Sequence, residues 1–120
     1  MNNEEIIIIS LGGSLIVPEE IDIEFLKSFK TLILEHVKNG RKFIIITGGG
    51  KINRKYNEAA KEITDPSDED LDWIGIASLK LNAELLRVVF SENARKEVIA
   101  NFSVSFSFDK PIVVGSAYKP

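Results

Sequence analysis

The sequence predicts an α/β fold, a three-layer αβα sandwich with a mainly parallel sheet. Three observations carry this. The β-branched runs Ile6–Ile9 and Phe43–Thr47 lack polar alternation, as expected of parallel strands covered on both faces. Each run enters a glycine cluster, Gly12-Gly13-Ser14 and Gly48-Gly49-Gly50. The segments after the clusters have the apolar period of amphipathic helices. Strands alternating with helices build parallel sheets.

The elements run in order. After the first strand, Pro18 and Asp22 introduce a helix with Phe25, Leu26, Phe29, Leu32, Ile33 and Val37 on one face. Asn39-Gly40 ends it, as a C-terminal cap does. A helix is predicted from Lys51 to Ile63, with Ile52, Tyr56, Ala59, Ala60 and Ile63 aligned. The acidic run Asp65-Pro66-Ser67-Asp68-Glu69-Asp70 reads as a solvated loop able to cap the next helix. That long helix, Leu71 to Phe90, is apolar over much of its circumference and is expected between neighbours. Val98–Ala100 and Ile112–Val114 read as short strands. Phe102 to Phe108 alternates with period two, as in a half-exposed edge strand of a structural hairpin.

Bulk properties narrow the class. A chain of 120 residues is expected to form a single domain, 1–120, with a modest core. Hydrophobic content of 44% and charged content of 28% are those of a globular protein. A net charge of −3 argues against a nucleic-acid partner, which calls for a basic face. The absence of cysteine removes disulfides, thiolate zinc sites and cysteine nucleophiles together. Glu4-Glu5 before Ile6–Ile9 give the wrong flank for a signal peptide, and no stretch reaches the roughly 18 apolar residues of a membrane span. The expectation is a cytoplasmic protein without a membrane partner.

The chemistry is expected at the carboxyl ends of the strands. At Gly48-Gly49-Gly50 the missing side chains let an anion approach backbone N–H groups, and the helix start adds its dipole. Arg54, one turn in, can clamp a phosphate with two hydrogen bonds. A triple glycine alone is as consistent with a ligand-free tight turn. The P-loop pattern fails at Ile45 and Ile52, and the dinucleotide pattern fails at Asn53. Gly12-Gly13-Ser14 stands in the same strand-to-loop position, and two adjacent anion cradles suit phosphoryl transfer. His36 and Trp73 read as structural, and one histidine without cysteine makes a transition-metal site a poor fit.

The ordered motifs "SLGGS", "TGGGKINRKY", "LDWIGI" and "PIVVGSAYKP" resemble the amino-acid-kinase superfamily, and within it the archaeal-type uridylate (UMP) kinases. The resemblance implies transfer of the γ-phosphoryl of ATP to UMP, with Mg2+ and with no covalent enzyme intermediate. It implies that Gly12, Gly13 and Ser14 lie against the moving phosphoryl and the ATP phosphates. Gly49, Gly50 and Arg54 would hold the UMP phosphate, and Gly50 and Arg54 also approach the donor phosphates. Asp72, read as the acidic residue before the long helix, would accept the ribose hydroxyls. The loop Gly115, Ser116, Ala117, Tyr118, Lys119 and Pro120, after the last strand, would contribute to the nucleotide site.

Three departures accompany the resemblance. Many members carry a lysine where Ser10 stands, so Lys51 or Lys119 is the candidate replacement cation. The serine–phenylalanine alternation replaces a helix usual in the family. The resemblance covers an amino-terminal, acceptor-binding half, so the chain alone is expected to be inactive and the full-length protein a homo-oligomer. Alternatives are a family phosphotransferase acting on a carboxylate or alkyl phosphate, or a non-catalytic nucleotide-binding or assembly module.

Overall fold

The computed structural model describes residues 5–100 and 108–116. Its elements are β1 (Ile6–Leu11), α1 (Gly13–Ile16), α2 (Ile23–Lys38), β2 (Lys42–Thr47), α3 (Gly50–Ile63), α4 (Asp68–Phe90) and β3 (Ile112–Ser116). The three strands lie in the order β1-β2-β3, both pairs parallel. This is the expected α/β architecture, with each crossover made through helices.

Local chemistry sets the helix ends. Asp22 caps α2, its Oδ1 accepting from the Phe25 N–H at 3.0 Å. At the other end Gly40 adopts φ +88°, while Gly40 N–H donates to Val37 O and Arg41 N–H to His36 O. That is the paired bonding of a Schellman cap, and it returns the chain directly into β2. The Arg41 guanidinium also meets His36 Nδ1 and donates to Glu5 Oε1, which gives His36 the structural role expected.

Four expectations are corrected. The long helix begins at Asp68 because Ser67 accepts from Asp70 N–H and Asp70 returns the bond, a capping box. Asp68, Glu69 and Asp70 are therefore the first helical turn and not loop, and Asp72 lies inside the helix. Val98–Ala100 is not a strand: it meets β3 through an isolated bridge at Ile99, and a bend at 96–97 separates this from a second isolated bridge at Ala94. β3 runs on through Gly115 and Ser116, which the sequence placed in a loop, because the ladder continues as Ile46 beside Gly115 and Thr47 beside Ser116. The alternating segment falls at 102–107 outside the described residues, and Phe108 belongs to no regular element.

The core gathers on one sheet face. Leu26 and Ile33 of α2 and Ala83, Leu86 and Phe90 of α4 pack there with Leu11, Phe43, Ile45, Ile112 and Val114. The other face closes unevenly along the register row Ile8, Ile44, Val113: Ile8 is 66% exposed, Ile44 half-buried and Val113 fully buried. β1 is thus not covered on both faces, contrary to the expectation from its four isoleucines. Branching suits any extended backbone, but burial depends on what stacks against each face. Among the described residues no helix is long and apolar enough to cross a membrane.

Candidate functional site

Parallel pairing brings three strand ends to one edge. Leu11, Thr47 and Ser116 form the last register row, and all three are buried. The two glycine turns leave this edge side by side, with Gly48 N–H donating to Leu11 O at 3.3 Å.

The turns touch backbone to backbone. A Cβ on Gly13 would lie 2.6 Å from Gly49 C and Gly50 N, and nearer still to Gly48 O. One on Gly50 would lie 2.5 Å from Gly13 C and 2.6 Å from Ser14 N. Only glycine permits this approach, and Gly50 also has φ +64°. The neighbourhood expected of the two loops is therefore met. Neither of the helices they start has a side-chain N-cap, at Gly12 for α1 or Gly49 for α3, so first-turn N–H groups are left for a ligand.

A polar seam on α4 backs the second turn. Asn82 Nδ2 donates to Gly48 O at 2.9 Å and to Gly49 O at 3.4 Å. Thr47 Oγ1 donates to Leu79 O, and Ser78 Oγ to Gly75 O. Asn53 and Asn57, on α3, keep buried side-chain oxygens without a hydrogen-bond partner among the described residues. The sequence reading missed Ser78 and Asn82. The available signal was two uncharged polar residues four apart, Ser78 and Asn82, one and two turns beyond Gly75 on the long helix.

The remaining expected residues sit around this centre. Arg54 is exposed one turn into α3, and Lys51 is exposed in its first turn. Lys55 Nζ donates to Glu19 O at 3.4 Å. Asp72 is exposed on α4, which packs against α3. Ser14 follows Gly13 in α1, exposed. Gly115 and Ser116 are buried in β3, and Ser116 Oγ has no partner among the described residues. Ala117, Tyr118, Lys119 and Pro120 lie outside the described residues. Trp73 is exposed and so is not a core residue. A cleft of about 640 Å³ opens past Ser116, lined by Lys80, Glu84, Lys96 and Glu97. Its two cations and two anions offset each other, so the glycine edge remains the better anion site.

The arrangement can bind anions through backbone N–H groups, with Arg54 and Lys51 adding positive charge. Among the described residues no group of three or more histidine, aspartate or glutamate side chains is placed to hold a metal ion.

Residues 5–106 match the amino acid kinase family. A uridylate kinase of Thermococcus gammatolerans is 38% identical over 96 residues, which are 80% of this chain and 42% of that protein. A uridylate kinase of Methanococcus maripaludis is 28% identical over 116 residues, 93% of this chain and 51% of its own. The crystal structure of uridylate kinase from Archaeoglobus fulgidus matches with a TM-score of 0.74 at 32% identity, over 93% of this chain and 50% of that one. The chain thus spans about half the length of the relatives it matches. From the match over residues 5–106, and from the paired glycine turns at the strand ends, the chain belongs to the amino acid kinase family.

Proposed function

We propose that this chain is the acceptor-binding half of a phosphotransferase that moves the γ-phosphoryl of ATP to UMP, giving UDP. The observation that carries this is the backbone contact of Gly13 with Gly48, Gly49 and Gly50. It sets two N–H-lined turns on one edge, close enough to serve two phosphate groups that must react with each other. The kinship with uridylate kinases supports the choice of acceptor.

In this reading Gly49 and Gly50 N–H groups, with Arg54, hold the UMP phosphate. Asp72 accepts the ribose hydroxyls, as a fixed carboxylate can. Gly12, Gly13 and Ser14 face the moving phosphoryl and the donor phosphates, and Gly115 and Ser116 form the floor of the cleft. Residues 117–120 complete the nucleotide site. Lys51 or Lys119 supplies the positive charge missing at Ser10. The chain's own contribution is orientation and charge neutralisation, the main source of catalysis in phosphoryl transfer. The glycine turns fit the phosphates of ATP, and Mg2+, carried by those phosphates, supplies further neutralisation when bound. The protein is proposed to act in the cytoplasm, as a homo-oligomer when full length.

Binding tests the reading. The chain should bind UMP at least about tenfold more tightly than uridine, since each charge-assisted hydrogen bond contributes about 1.5–3 kcal/mol. Arg54→Ala should remove most of that preference and leave uridine affinity and the melting temperature unchanged. Equal affinity of the unaltered chain for UMP and uridine, measured by calorimetry, would remove the phosphate cradle.

A further inference from the structure

The turn after β2 is held from behind by one side chain. Asn82 lies within α4 at 2% exposure, bonded through Nδ2 to Gly48 O and Gly49 O. A buried amide is costly unless bonded, so these two carbonyls account for its place on the buried side of the helix. In a trans peptide the carbonyl and the next residue's N–H point in opposite directions. No cis bond occurs among the described residues. Drawing Gly48 O towards α4 therefore turns Gly49 N–H away from α4. Drawing Gly49 O the same way does this for Gly50 N–H. Neither N–H donates a backbone bond among the described residues, whereas Gly48 N–H is taken by Leu11 O.

We infer that Asn82 is a positioning residue for the acceptor phosphate: by fixing two carbonyls it aims the N–H groups of Gly49 and Gly50 at the anion without touching it. This rests on the acceptor function proposed for the chain. No neighbour on the seam can take over. The Thr47 hydroxyl is given to Leu79 O and the Ser78 hydroxyl to Gly75 O, so each has spent its one donor. A turn without the Asn82 donor keeps its glycines but loses the shared direction of its N–H groups.

The test uses Asn82→Leu, which keeps the size and branching of the side chain and removes the donor. UMP and uridine are titrated into both chains, and the unaltered chain is read first. If it shows no preference for UMP, the acceptor reading itself fails. If it does, the leucine chain should lose at least about tenfold of the UMP preference while its uridine affinity stays the same. An unchanged preference, or equal weakening of both ligands, would make Asn82 merely structural and overturn the inference. Should the leucine chain not fold, NMR of the unaltered chain decides. On addition of UMP the Gly49 and Gly50 amide protons should move downfield, with the Asn82 side-chain amide protected from exchange. An Asn82 amide exchanging at the free rate, or glycine amides that ignore UMP, would overturn it.

Discussion

The two glycine turns occupy equivalent places at the ends of parallel strands, yet they are held by different means. The turn after β2 leaves the central strand, starts the fourteen-residue α3 and is tied to α4 through Asn82. The turn after β1 leaves an edge strand and starts the four-residue α1. Its own ties are short backbone bonds, Leu15 N–H to Gly12 O and Val17 N–H to Gly13 O. It is anchored in the core by Ile16 and Val17 and leans on the second turn. One turn is therefore built as a fixed cradle, with a helix long enough to add a dipole. The other is a single helical turn held by the buried Ile16 and by backbone contact with the first.

Breaking the contact between the turns should have the largest effect. Gly13→Ala drives a methyl into Gly48–Gly50 backbone, which cannot rotate aside as a side chain could. Overpacking of this kind costs about 1–3 kcal/mol and sometimes more. Gly50→Ala adds to a similar clash a left-handed backbone, worth about a further 1–2 kcal/mol. Both variants should melt well below the unaltered chain in a calorimetric scan, Gly50→Ala the lower of the two. If both melt normally, the turns are not in contact.

The smallest effect sharpens the comparison from the other side. Gly12 has open space where a Cβ would go and an ordinary extended backbone, φ −61° and ψ 141°. Gly12→Ala should shift stability by no more than about 0.5 kcal/mol in denaturant titration. Reduced phosphate binding by a variant of normal stability would then report how closely the ligand approaches this backbone. A large stability loss would show that the first turn is packed as tightly at Gly12 as at Gly13.

Much of this was legible in the chain itself. Asp22 and Asn39-Gly40 marked the limits of α2 through local bonds, which depend only on near neighbours. The glycine clusters marked the strand ends for the same reason. The features that escaped the reading depend on contacts distant in sequence. That the two turns adjoin was expected, but the backbone contact of Gly13 with Gly50 comes from the register of two strands, and the bonding of Asn82 from which side of α4 faces the turn. The uncovered face at Ile8 is of this kind too, since four isoleucines look alike whatever lies above them. The early start of α4 is a local feature that charge obscured: Ser67 and Asp70 spell a capping box inside an acidic run that reads equally well as loop.

The register row Leu11–Thr47–Ser116 also bears on the order in which the molecule folds. β2 pairs with β1 across one intervening segment and with β3 across another about twice as long, and a doubling of loop length adds about 0.6 kcal/mol of closure entropy. The shorter closure, with α2 docking on its sheet face, should form first, since local contacts are made before distant ones. The glycine turns then meet before Ser116 arrives beside Thr47. Pulse-labelled hydrogen exchange during refolding should protect the β1–β2 amides ahead of those of β3, and simultaneous protection would point to a single closure. A cleft finished by its most distant strand is then expected to be the last part of the molecule to assemble.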